Sequence, residues 1–168
     1  TLADKINKHK FNQFLFFKQW LRLKAFAVEN KVEIIGDMPF VISLDSSDVW
    51  ARPELFLLDE NLNPTFVAGV PPDYFSATGQ LWGNPLYDWQ YHRDTKFEWW
   101  NSRLKATLEL VDMVRLDHFR GFAAAWHVPF GNKTAIEGEW VPGQGTELFT
   151  ELKRNFPDLP IIAEDLGV

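Results

Sequence analysis

Three short apolar runs in this 168-residue chain finish on an acidic side chain. Ile34-Ile35-Gly36-Asp37, Val114-Arg115-Leu116-Asp117 and Ile161-Ile162-Ala163-Glu164 each read as a buried strand closed by a carboxylate. The spacing predicts strands over 32–37, 111–117 and 159–165. Helical patterns precede them. Residues 11–29 repeat Phe14, Phe17, Leu21 and Ala25 at helical spacing, residues 94–110 place Phe97, Trp100, Leu104 and Leu108 on one face, and residues 146–155 turn Phe149 and Leu152 inward. Helices alternating with strands imply a parallel sheet. A complete (β/α)8 barrel takes about 250 residues. The expected fold is therefore α/β, a part of a TIM barrel, with long loop insertions and raw edges that other segments of a barrel would cover.

Between the first two strands the pattern changes. Residues 43–51 read as a loop with a short helical turn, and 56–59 as a further short strand. Residues 61–89 are dense in Gly, Pro and aromatic side chains and are expected to lack regular structure. So long a stretch inside a compact unit is functional or disordered, and Phe66, Tyr74, Phe75, Trp82, Tyr87 and Trp89 argue against disorder. The expected organisation is one partial barrel over 1–168 with a loop-rich insertion over 51–93.

Composition narrows the classes of partner. A net charge of -6 opposes a nucleic-acid surface, which needs clustered Lys and Arg. No apolar run approaches the roughly 20 residues that span a bilayer, and residues 1–10 do not resemble a signal peptide. The chain has no cysteine, hence neither disulfides nor thiolate metal ligands, which fits a cytoplasmic setting. Eight Trp and 15 Phe have two readings: a large core, or flat rings stacked on sugar faces.

In parallel α/β folds the C-terminal strand ends converge on the active site. Three carboxylates gathered there are costly unless used or compensated, although each acid also suits the start of a loop. Two of them suit glycosidic chemistry, one attacking the anomeric carbon and one protonating the leaving oxygen. Arg115 lies two residues before Asp117, so both point to one face of a strand. A guanidinium there is expected to keep Asp117 ionised, while a neighbouring anion and partial burial raise the acid. His118 reads either as a hydrogen-bond donor to a sugar hydroxyl or as a structural histidine. The acids lack zinc or calcium spacing, so no metal is expected.

Longer motifs carry a resemblance. Arg115-Leu116-Asp117-His118-Phe119-Arg120-Gly121-Phe122 resembles the nucleophile strand of glycoside hydrolase family 77, the amylomaltases or disproportionating enzymes. Ile161-Ile162-Ala163-Glu164-Asp165-Leu166-Gly167 is similar to that family's acid/base strand. Gly36-Asp37-Met38-Pro39-Phe40, with Asp45-Ser46-Ser47-Asp48-Val49-Trp50, resembles its third barrel strand and the loop after it. Gly69-Val70-Pro71-Pro72-Asp73-Tyr74-Phe75, with Gly79-Gln80-Leu81-Trp82-Gly83-Asn84-Pro85, resembles its mobile substrate loop. Trp140 and Pro142-Gly143-Gln144-Gly145 stand where the family has a Gly-rich turn.

The resemblance implies about the third to fifth strands of the barrel and a retaining 4-alpha-glucanotransferase. It implies Asp117 as nucleophile and Glu164 as acid/base, with Asp37, Arg115 and His118 around the sugar beside the scissile bond and Tyr74, Phe75 and Trp82 stacked on the glucan. Asp165 is expected to cap its loop. The implied partners are alpha-1,4-glucans and the remaining barrel segments, and no cofactor is implied. The family's third catalytic carboxylate, on a later strand, is expected beyond the last residue. The alternatives are an amylase-like hydrolase, which would release short sugars and build no longer chains, and a glucan-binding module whose acids are idle.

Overall fold

The computed structural model describes residues 1–164 and 166. Its first helix, α1 (Leu2–Glu29), begins nine residues before the apolar stripe does. Thr1 closes a capping box with Asp4 and satisfies an amide of the first turn, which starts the helix in a polar segment. Among the described residues, the side-chain hydrogen bonds that tie α1 to the rest come from its C-terminal half. Trp20 Nε1 donates to Leu110 O at 2.7 Å, and Lys24 Nζ donates to Val111 O at 3.0 Å and Leu108 O at 3.2 Å. The further α-helices among the described residues are α2 (Ser47–Ala51), α3 (Trp89–Asp94), α4 (Glu98–Leu110) and α5 (Gly145–Asn155). Lys24 thus caps the carbonyls that the last turn of α4 leaves open. Among the described residues no helix is long and apolar enough to cross a membrane.

The strands are β1 (Ile35–Met38), β2 (Phe66–Val70), β3 (Gln80–Pro85), β4 (Met113–Leu116), β5 (Ala124–Pro129), β6 (Glu139–Pro142) and β7 (Ile161–Ala163). Three of them form a parallel sheet in the order β1-β4-β7, with Asp37 opposite Arg115 and Arg115 opposite Ile162. Alternation along β4 buries Val114 and Leu116, which pack with Trp100 and Leu104 of α4 and Leu148 and Leu152 of α5. Arg115 is left on the opposite face.

Three elements differ from the sequence reading. The stretch 61–89 contains β2 and β3, which join β5 and β6 in an antiparallel sheet ordered β3-β2-β5-β6. The outer pair of each half belongs to a different insertion, one after β1 and one after β4. Residues 56–59 form no strand; they contribute only the bridges Phe56–Tyr87 and Leu58–Pro64. The helix expected over 94–110 is broken, because Lys96 and Phe97 take left-handed φ values of 52° and 54°. That kink swings the Phe97 ring into the core, where it is 4% exposed.

Candidate active site

Arg115 sits at the centre of the acidic strand ends. Its Nε donates to Asp37 Oδ1 at 2.8 Å, and Nη2 reaches Asp37 Oδ2 at 3.3 Å. Nη2 also donates to Asp117 Oδ1 at 3.1 Å, and Nη1 to Glu164 Oε1 at 2.9 Å. One planar fork therefore holds carboxylates from three neighbouring strand ends.

Register explains the convergence. Leu116 pairs with Ala163, and the residues that follow them are Asp117 and Glu164. The ladder runs on through both, since Asp117 N–H donates to Met38 O and Glu164 N–H to Leu116 O, each at 3.1 Å. The two acids therefore leave adjacent strands side by side, at the strand spacing of about 4.8 Å. Carboxyl groups on adjacent strand ends can come within the roughly 5 Å that a retaining glycosidase pair needs.

The electrostatics run opposite to the order expected from sequence. Partial burial and the hydrogen-bonded neighbour Glu164 push the Asp117 carboxyl above its ordinary range, against the pull of Arg115. Glu164 is held below its ordinary range by the His118 backbone N–H, which donates to Oε2 at 2.6 Å, with further help from Arg115. Arg115 makes two of its contacts to Asp37, and the Asp37 charge itself adds to the upward push on Asp117.

His118 occupies a left-handed conformation, φ 48° and ψ 51°, and that turn aims its N–H at Glu164. Its ring packs edge-on against Trp82 at 4.8 Å and lies 5.9 Å from Phe40. Burial holds the ring pKa below its usual value. Trp82, on β3, thus comes to the carboxylate cluster through His118. Tyr74 and Phe75 stand apart. They are 97% and 92% exposed, and their rings pack on each other at 5.6 Å. They project from a tight loop in which Asp73 Oδ1 accepts the N–H groups of Phe75 and Ser76 at 2.9 and 2.7 Å. Gly79, at φ +69°, closes that loop where a Cβ would lie 2.3 Å from Val70 O.

The structure thus gathers Asp37, Arg115, Asp117, His118, Trp82 and Glu164 and leaves Tyr74 and Phe75 on the projecting loop. Asp165 lies outside the described residues. Sequence reasoning missed two participants. Phe40 walls the His118 ring, and its signal was position alone, three residues after Asp37. The His118 N–H had no signal, because a left-handed non-glycine residue is set by its surroundings.

A family model described as 4-alpha-glucanotransferase matches residues 1–168. The 4-alpha-glucanotransferase of Streptococcus pneumoniae is 52% identical over 166 residues, which are 99% of this chain and 33% of that protein. That of Thermus thermophilus is 53% identical over 168 residues, 100% of this chain and 34% of that protein. A solved structure, the amylomaltase from Streptococcus agalactiae in complex with acarbose, superposes with a TM-score of 0.97 at 47% identity, covering 99% of this chain and 34% of that one. The amylomaltase from Corynebacterium glutamicum, 19% identical with a TM-score of 0.79, shares the fold. The chain spans about a third of the length of the curated relatives it matches.

Proposed function

Since the chain belongs to the 4-alpha-glucanotransferase family, we propose that its carboxylate cluster performs retaining transfer of alpha-1,4-glucan segments. The observation that carries this reading is the placement of Asp117 and Glu164 side by side on adjacent strand ends around one guanidinium. Asp117 attacks the anomeric carbon of the donor, and Glu164 protonates the departing 4-oxygen. The glycosyl-enzyme is then attacked by the 4-hydroxyl of an acceptor glucan, whose proton Glu164 takes. Two inversions restore the alpha linkage.

Arg115 orients Asp117. Asp37 and His118 bind hydroxyls of the sugar next to the scissile bond. Trp82 and the projecting Tyr74 and Phe75 stack on the glucan and hold an acceptor where water would otherwise attack, which favours transfer over hydrolysis. The insertion over 51–93 is the substrate-binding part. The remaining barrel segments complete the site and supply a third carboxylate. Starch, glycogen or maltodextrins are the proposed glucans. The cysteine-free sequence suits a reducing compartment, and the cytoplasm is the one proposed.

The test is incubation of maltotriose with the chain joined to the remaining barrel segments, with products separated by length. A ladder of longer glucans plus glucose is expected, with transfer falling on the order of 10⁴-fold or more in Asp117→Asn. Short sugars alone would mean an amylase-type hydrolase. No products at all would mean a binding module.

A further inference from the structure

His118 holds a left-handed backbone, φ 48° and ψ 51°, a conformation that residues with a Cβ rarely adopt. Such a residue persists where its neighbours over-determine it. Three contacts converge on the turn that it opens. Gly121 N–H donates to His118 O at 2.9 Å and closes the turn. The Phe40 ring lies 5.9 Å from the His118 ring and, edge-on, 4.9 Å from the Phe122 ring. Gly121 leaves room for that ring, since a Cβ there would stand 2.6 Å from it. Phe40 is 2% exposed, so it packs beneath the site and does not reach a bound sugar.

The segment that carries Phe40, residues 39–42, forms neither helix nor strand, so its carbonyls need partners from elsewhere. Arg103 Nη2 of α4 donates to Pro39 O at 2.8 Å, the Tyr87 hydroxyl to Phe40 O at 2.6 Å, and Asn84 Nδ2 of β3 to Ile42 O at 2.9 Å. Side chains of other elements thus fix Phe40 from behind. In front, its ring meets the turn whose first N–H, that of His118, donates to Glu164 Oε2 at 2.6 Å.

We propose that Phe40 is a positioning residue for Glu164 and acts through the His118 N–H. The inference rests on the proposed role of Glu164 in glucan transfer. With the ring in place the turn has no room to relax, and Glu164 is held ready for the departing 4-oxygen. A smaller side chain frees the turn to fall back toward an ordinary backbone, which takes the N–H off Glu164 and lets the carboxyl swing. Attack by Asp117 does not use that N–H.

The experiment compares two donors on the chain joined to the remaining barrel segments. Maltotriose needs a proton on its leaving 4-oxygen. Alpha-maltosyl fluoride with azide as acceptor needs none: fluoride leaves as an anion when Asp117 attacks, and azide displaces Asp117 without losing a proton. Phe40→Leu should lower kcat for maltotriose disproportionation on the order of 10²-fold, the effect of misplacing a catalytic group by about 1 Å. KM should change little, and the fluoride–azide turnover should be largely kept, which also shows that the variant is folded. Tyr87→Phe removes only the hydroxyl that holds Phe40 O and should give the same split in smaller measure; it decides the matter if Phe40→Leu does not fold. Equal losses on both donors would mean a general packing role and overturn the inference, as would an unchanged rate on maltotriose. Unaltered protein that builds no longer glucans, or Glu164→Gln that keeps the maltotriose rate, would instead remove the proposed function and this inference with it.

Discussion

Arg115 answers three acids with one positive charge, and its geometry matters more than its sign. A lysine keeps the charge but lacks the planar fork that spreads four contacts over Asp37, Asp117 and Glu164. Arg115→Lys is therefore expected to lower kcat for glucan transfer by about 10²–10³-fold, with the rate of maltotriose disproportionation as the measurement. Phe40 acts through packing instead. It is 2% exposed and lies against Tyr87, Phe122 and His118. Gly121 faces that ring so closely that a Cβ would stand 2.6 Å from it. Gly121→Ala should destabilise the fold by about 1–3 kcal/mol, read as a lower urea midpoint; an unchanged midpoint would mean that the ring gives way freely. The acids and Arg115 were readable in the sequence, because strand ends and two-residue spacing place them. The His118 N–H and the sharing of Arg115 with Asp37 were not, since both arise from cross-strand register and a local left-handed turn.

At the level of elements, the parallel strands were legible because each is a short apolar run ending in a polar side chain, preceded by a helix of clear period. The second sheet was not. β3 carries Gly83 and Pro85 inside six residues, and β6 has four residues ending in Pro142, a composition that reads as loop. Their partners are distant in sequence, with Gly69 opposite Trp126, so no local period marks them. The break between α3 and α4 was equally hidden, as residues 95–97 carry no Gly or Pro. It leaves exposed Lys96 in a left-handed conformation that costs an L-residue about 1 kcal/mol. Lys96→Gly should therefore raise the thermal midpoint by a few degrees, and a lower midpoint would show that the side chain is needed where it is.

The whole molecule carries two buried histidines that the proposed chemistry does not use. His92 and His127 are 0% and 5% exposed, and burial lowers each pKa to about 4. Unfolded histidine protonates near 6.5, so between about pH 6.5 and 4 the unfolded chain binds more protons than the folded one. Stability is complete above that window and falls as pH drops through it, by up to about 3 kcal/mol per histidine. Urea midpoints should therefore be lower at pH 5 than at pH 7, whereas equal midpoints would mean that both rings take up protons in the fold.

Apolar surface gives a second property at this scale. Phe11 and Phe14 of α1 are each 58% exposed and Phe26 is 62% exposed, and exposed apolar side chains gathered on one helix favour association. Sedimentation should show concentration-dependent self-association of this chain that weakens in Phe14→Glu. A monomer at every concentration would mean that the stripe is covered from within.

The antiparallel sheet joins two insertions that lie far apart along the chain, one after β1 and one after β4, through the pairing of β2 with β5. Neither can drift alone. A change of length or twist in the first is passed through that pairing toward the turn that carries His118, so the two segments are mechanically coupled. Grafting one of them onto a different barrel without the other would transplant half a clasp.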